Sequence, residues 1–324
     1  MEFSDIKDSI PHQSPVQPQE LGLDAEFQFD CHPGVSCFNA CCKKSDIQMT
    51  PYDIVRLKKH FDLSSSDFVS RYTVPFEMDQ HGMPGLRLLS QPKTGCVFLG
   101  DEGCTVYKDR PAACRYYALG SMGVRKAQTS RVEDVYFVVK EAHCQGHAEP
   151  RKQTVQAYRE NQGVDQYDVM NNEWREIILK KRSSGPTVGA PSERSLQLFD
   201  MCSYDIDSFR EFIQTKGFQN IFDVGGDRMK GLLEDDEKLL FFSFRFLKQV
   251  LFGEVSIPVR EQARAQRVSE RQGVWAQRRN AEVDRYREDL QVRQYEDRPS
   301  LSDDKKREDP ESILPHRERQ RLPG

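Results

Sequence analysis

Eight of the nine cysteines in this chain of 324 residues fall between Cys31 and Cys144. They form two close-set groups and one later member. The first group reads Cys31-x5-Cys37-x3-Cys41-Cys42 and the second Cys96-x7-Cys104-x9-Cys114. Cys144 follows, flanked by His143 and His147. Thiolates are soft ligands that select zinc, cuprous copper and iron–sulfur clusters. Four of them complete a tetrahedral zinc ion or hold a cubane cluster. Close spacing lets one loop deliver several ligands at little cost in chain entropy. Cys31, Cys37, Cys41, Cys42, Cys96, Cys104, Cys114 and Cys144 are therefore the candidate metal ligands. They suffice for two four-ligand sites, or for one site and a redox pair.

Two blander readings compete. Cysteine is often buried as a small hydrophobe. That accounts for Cys202, far from the groups, but poorly for eight thiols in one segment and an adjacent Cys41-Cys42 pair. A disulfide framework fits worse. The N-terminus has neither a basic start nor an apolar stretch, so no export signal is expected. Overall cysteine content also lies well below the ~8% at which disulfide scaffolds begin. The default compartment is then the reducing cytoplasm, where clustered cysteines point to metal.

The neighbours suit an anionic centre. Lys43 and Lys44 follow the first group, and Arg110 and Arg115 bracket Cys114. Cations and backbone N–H groups stabilise a bound thiolate. The two arginines are expected to pair with thiolates or carboxylates rather than with an anionic substrate. His143 and His147 could join a site, though a hydrogen-bonding surface role is at least as good a reading. Asp53 reads as a capping acid and Arg56 as a surface charge. Tyr107, Tyr116 and Tyr117 read as core and hydrogen-bonding residues rather than catalytic phenols.

The stretch Cys37-Phe38-Asn39-Ala40-Cys41-Cys42, with Thr50-Pro51-Tyr52-Asp53 after it, resembles the YkgJ-type cysteine-cluster family. So does Cys96-Val97-Phe98-Leu99, continued by Gly103-Cys104-Thr105-Val106-Tyr107, Asp109-Arg110-Pro111 and Cys114-Arg115. The resemblance covers residues 24–180 and extends towards 255, where the late helices look like those of longer bacterial members. It implies a zinc- or iron-chelating domain rather than a reaction. A more distant likeness to flagellin lysine N-methylase implies an iron–sulfur centre, a four-iron cubane among the options, with S-adenosylmethionine. Gly225-Gly226, however, reads as a turn and not as a cofactor cradle.

Several elements must position these groups. Thr50-Pro51-Tyr52-Asp53 predicts a capped helix start, followed by Ile54, Leu57 and Phe61 at helical spacing. Ser66 is expected to cap a second helix. Asp109-Arg110-Pro111 predicts a helix that carries Cys114 and Arg115 in its first turns. Tyr167, Met170, Trp174, Ile177 and Ile178 form one amphipathic face, and Phe209, Phe212 and Ile213 another. The stretch 239–251 is apolar almost all round and predicts a buried helix. Strands are expected at 86–89, 96–99 and 135–139, with a tight turn at 101–103.

Charged residues make up 30% and hydrophobic residues 37%, with a mean hydropathy of −0.72. Part of the chain is therefore expected to stay outside any core. A net charge of −4 gives no basic field for nucleic acid. The 239–252 stretch contains Arg245 and Lys248 and is too short to span a bilayer. The expected organisation is a disordered arm at 1–23, a cysteine-cluster metal-binding domain at 24–180, a helical extension at 190–255 and a charged helical or disordered tail at 256–324. Within that tail, 259–296 reads as a solvated helix and 297–324 as disordered; the tail could engage a protein partner. The fold class is α+β, an irregular metal-organised cysteine-cluster domain with a helical extension. The functional reading is a metal-binding protein with a cysteine-ligated iron–sulfur or zinc centre. The alternative is an iron–sulfur enzyme, either an oxidoreductase or an S-adenosylmethionine-dependent protein lysine methylase.

Overall fold

Thr50 opens the first helix, α1 (Pro51–His60), through a reciprocal cap. Its hydroxyl accepts the Asp53 N–H, the Asp53 carboxylate accepts the Thr50 N–H at 2.7 Å, and Pro51 occupies the first helical position. That satisfies two backbone donors which the helix itself leaves unpaired. The helix α2 (Ser65–Tyr72) is capped by Ser64, not by Ser66. Three serines in a row could each have started it. Ser64 accepts the Asp67 N–H at 3.0 Å, while Ser65 is buried and donates its hydroxyl to Asp205.

The computed structural model describes residues 19–44, 46–79, 82–125, 132–183 and 192–266, with residues 268, 269, 283 and 287. Its sheets are small. β1 (Glu26–Gln28) pairs antiparallel with β11 (Lys152–Thr154), joining the two ends of the cysteine segment. β2 (Gln48–Met49), β3 (Thr73–Glu77) and β4 (Pro84–Leu88) form a three-stranded sheet with β4 central. β5 (Ser90–Gln91) pairs with β6 (Gly95–Cys96), and β7 (Leu99–Gly100) with β8 (Gly103–Cys104). The strand expected at 96–99 is thus split between two short pairs. Its middle residues turn away from the ladder, and Phe98 is buried. The turn at 101–103 joins β7 to β8 as expected. β9 (Leu119–Arg125) and β10 (Val132–Val138) form the longest ladder, which includes the 135–139 strand signal.

The helix α3 (Ala112–Tyr116) is short and starts after Pro111, placing Cys114 and Arg115 as the sequence predicts. α4 (Val155–Gln162) ends at Gly163 in the left-handed conformation, and α5 (Val164–Ser183) follows directly. Five further helices follow: α6 (Glu193–Tyr204), α7 (Ile206–Gln214), α8 (Lys216–Ile221), α9 (Gly226–Glu234) and α10 (Asp236–Phe252). Gly225 stands at the N-cap of α9 with φ of 72°, so Gly225-Gly226 is a turn. The molecule is α+β, with helices predominating.

Two hydrophobic cores result. The larger takes the inner faces of α1, α2 and α5 together with Phe199, Phe209, Phe242 and Phe246 of the later helices. It also contains Cys202, fully buried and away from the other thiols. The smaller core gathers Leu21, Phe27, Phe29, Ala118, Leu119, Tyr136, Val155 and Tyr158. Leu21 also bridges Tyr136, so the end of the expected N-terminal arm is packed; its residues 1–18 lie outside the described residues. Residues Met1–Arg260 form one compact unit and Glu261–Gly324 a second. In the second, residues 261–266 are helical, and most of the charged tail lies outside the described residues. Among the described residues, no helix is long and apolar enough to cross a membrane.

Candidate metal centre

The first cysteine group lies on a chain of tight turns. Hydrogen bonds run from Val35 to His32, Phe38 to Val35, Ala40 to Cys37 and Cys42 to Asn39, each N–H reaching back three residues to a carbonyl. The run closes as a 3-10 turn at Cys41–Lys43. Such repeated turns carry Cys37, Cys41 and Cys42 on one short winding segment. The Sγ atoms of Cys41 and Cys42 stand 3.9 Å apart, with one thiol donating to the other.

The second group is delivered by the two short strand pairs and α3. Cys96 ends β6 and Cys104 ends β8, and both pack against the larger core. β6 is held against the first group through Gly95. A side chain there would meet the Lys43 Cα at 2.5 Å and the Cys42 carbonyl oxygen at 2.6 Å. Burial raises the Cys96 and Cys104 thiols, opposed in part by the backbone of Phe98 and Leu99 at Cys96 and of Val106 at Cys104. Cys114 sits on α3, whose first N–H, at Ala112, is accepted by the fully buried Asp53 at 2.8 Å.

Cys144 returns to the start of the segment. The Asp30 N–H donates to the Gly146 carbonyl at 3.0 Å, and the Gln145 N–H donates to the Cys37 sulfur at 3.1 Å. A side chain at Gly146 would meet the Asp30 carbonyl oxygen at 2.4 Å and the Phe29 ring at 2.8 Å. Cys144 packs against the smaller core.

The electrostatics record the same gathering. Partial desolvation, with Cys41, Cys37, Cys144 and Asp30 nearby, pushes the Cys31 thiol up to about 11, although the residue as a whole is exposed. Cys42 is raised far above the usual thiol range, first by donating to Cys41, then by burial and by Cys41, Cys114 and Cys96. Cys114 is raised by burial, Cys96, Asp53, Cys104 and Cys41. The Cys42 hydrogen bond lowers Cys41 to about 7. Mutual repulsion among thiolates and their desolvation are the penalties that a bound cation removes.

The neighbours differ in part from expectation. Arg110 and Arg115 are buried, but they bind carbonyls rather than thiolates or carboxylates. Arg110 donates to the Tyr107 carbonyl and to Gln162 Oε1. Arg115 donates to the carbonyls of Lys108, Arg110 and Gln162 and to the Tyr167 hydroxyl. A guanidinium has five donors in a fixed fork, which suits it to tie several carbonyls at once. Burial raises the Cys104 thiol, and the Val106 backbone and the Arg110 charge offset only part of that rise. Arg56 is not an isolated surface charge: it pairs with Asp109. Tyr107 is 58% exposed and is not core. Tyr116 donates to Asp168. The His147 ring bonds the Val139 carbonyl and packs on Phe29, and His143 pairs with Glu141.

Tyr117 and Glu141 escaped the sequence reading as members of the site. The Tyr117 hydroxyl is buried without a hydrogen bond of normal geometry, and Cys144 and Glu141 beside it add to burial in raising its pKa. A buried O–H facing a sulfur is a ready donor to a thiolate. The signal that could have found the contacts is glycine beside cysteine, in Gly95-Cys96, Gly103-Cys104 and Cys144-Gln145-Gly146.

The donor set fits a thiophilic metal: the nine cysteines are thiols rather than disulfides, and the Cys37 sulfur accepts a backbone N–H from Gln145. Among the described residues, no three His, Cys, Asp or Glu side chains stand as a metal-holding group. Residues 30–145 match the family model CxxCxxCC, described as "Putative zinc- or iron-chelating domain". This is the cysteine-cluster family whose motifs the sequence resembles, and the match supports metal binding by this segment. No curated protein and no solved structure matches the chain.

Proposed function

We propose that Cys31, Cys37, Cys41, Cys42, Cys96, Cys104, Cys114 and Cys144 bind metal as thiolates, and that the centre serves a structural, storage or sensing role. The supporting observation is the convergence of thiols from separate stretches of backbone, several of which raise one another's pKa. Thiols held so close repel as they ionise, and a thiophilic cation turns that repulsion into attraction. The bound metal is an iron–sulfur cluster or zinc. Both are soft enough for an all-thiolate shell, and both need thiols kept reduced, as in cytoplasm.

The test is purification without oxygen, a visible spectrum and elemental analysis. A brown protein with iron and acid-labile sulfide identifies a cluster. A colourless protein with stoichiometric zinc identifies a zinc site. A protein with neither metal, and unable to take one up after reduction, overturns the proposal. Cys41→Ser and Cys114→Ser should each lower metal content; full retention in either removes that residue from the ligand set.

A further inference from the structure

We infer that the eight cysteines form two separate four-thiol metal sites: an inner one of Cys42, Cys96, Cys104 and Cys114, and an outer one of Cys31, Cys37, Cys41 and Cys144. The inference rests on the proposed metal-binding function and adds to it the number, membership and character of the sites.

Packing separates the two sets. Cys96 and Cys104 lean on the larger core, whereas Cys144 leans on the smaller one. The two ligand sets are thus anchored on different cores and share only the turn that carries Cys41 and Cys42. Close backbone approaches sort them the same way. Gly95 brings Cys96 against the Cys42 carbonyl, while Gly146 brings the Cys144 turn against Asp30, next to Cys31. The Gln145 N–H then ties that turn to the Cys37 sulfur. These contacts put Cys42 beside the Cys96 strand and Cys31 and Cys37 beside the Cys144 turn; Cys114, on α3, joins Cys96 and Cys104, whose charges act on its thiol.

The adjacent pair divides between them. Cys41 and Cys42 begin the 3-10 turn, in which successive side chains point about 120° apart. One flexible loop can therefore send neighbouring thiols to opposite sides. Their sulfurs meet at 3.9 Å, at the seam between the two sets. The pairing of Cys42 with the inner set follows from its carbonyl's contact at Gly95, and Cys41 falls to the outer set as the neighbour that the turn sends the other way.

The two sites differ in access. Cys31 is exposed, and Glu141 and His143 form an ion pair close to Cys144. The inner set lies beside the fully buried Asp53. The inner ion is accordingly the held one and the outer ion the exchangeable one.

The test uses the full chain, stripped of metal and reduced under argon. Titration with cobalt(II) is followed by its thiolate charge-transfer absorption, and bound zinc is measured separately against a competing chelator. Two equivalents of cobalt per chain are expected, falling to one in Cys114→Ser and to one in Cys144→Ser. Release of zinc to the chelator should show two phases, and Cys144→Ser should lack the fast one. Cys31→Ser, altered at an exposed position, repeats the outer test should either of the other variants fail to fold. A single equivalent in the unaltered chain overturns the two-site inference while leaving metal binding intact. Two equivalents lost together in Cys31→Ser or Cys144→Ser also overturn it, in favour of one dinuclear centre. No cobalt binding at all overturns the proposed function itself.

Discussion

Gly95 and Gly146 sit one residue before Cys96 and two after Cys144, and each is pressed against backbone of the first cysteine group or its flank. Gly95 also has φ of +81°, which L side chains rarely adopt. Gly95→Ala should therefore destabilise the fold by about 1–3 kcal/mol, the usual range for forcing extra volume into a packed place. Its effect on metal content should fall on the site that contains Cys96. Denaturant midpoints with elemental analysis check this, and an unchanged midpoint would show that the Gly95 contact is not as tight as described. Tyr117→Phe should leave metal stoichiometry unchanged but weaken retention about 10-fold, because outer-shell hydrogen bonds commonly carry that much affinity. Chelator competition reads it. At this scale metal binding was legible because eight thiols set so close together suit little besides metal, and the family match to residues 30–145 supports it. Their neighbours were not legible: the spacing of Cys31, Cys37, Cys41 and Cys42 suggests one site, whereas the Cys144 turn is brought against Asp30 and Cys37 through contacts that no local pattern announces.

The element that matters most to the second group is also the shortest α-helix among the described residues. α3 spans Ala112–Tyr116, too few residues to be stable alone. It is held from outside by Asp53 at its first N–H and by Arg115, which gathers the Lys108, Arg110 and Gln162 carbonyls and lies over the Tyr167 ring at 4.3 Å. Lysine lacks the fork and the flat face. Arg115→Lys should cost about 2–3 kcal/mol in unfolding free energy, since a buried carbonyl left unsatisfied costs about 1–3 kcal/mol. A loss below about half a kcal/mol would mean that the guanidinium is not the tie. The start of α3 was readable from Asp109-Arg110-Pro111, as was that of α1 from Thr50 and Pro51. What Arg115 binds was not readable, because carbonyl acceptors are present at every residue and leave no mark in the sequence. The two-residue strands around Cys96 and Cys104 were blurred for a related reason. They are set by contacts with the first group and not by alternation along the chain.

Across the whole molecule, one charged junction joins the helices near the cysteines to those that follow. Lys58 of α1, almost buried, lies 3.0 Å from both Asp207 of α7 and Asp236 of α10, and Arg210 pairs with the same two acids. Burial alone would raise the Asp207 carboxyl. The Ser65 N–H, Lys58 and Arg210 outweigh it and hold the group down to about 2 from 3.8. A carboxyl with a lowered folded value adds stability that is fully present above about pH 4 and is lost as the pH falls towards 2. Asp207→Asn should therefore reduce stability near neutrality by about 1.5–3 kcal/mol, and the gap from the unaltered protein should close between about pH 4 and 2. Urea midpoints across that range check it, and a constant gap would exclude the junction as its source. The larger core that surrounds this junction was legible as separate apolar faces, though not as one body shared by early and late helices. The closure of the cysteine segment has a consequence in time. The Cys37 sulfur is met by a backbone N–H 108 residues further on, and ribosomes add roughly 5–20 residues per second. The first thiols of every new chain therefore wait on the order of ten seconds before the last can be synthesised. During that interval a reducing environment, rather than the fold, must keep them from pairing with one another.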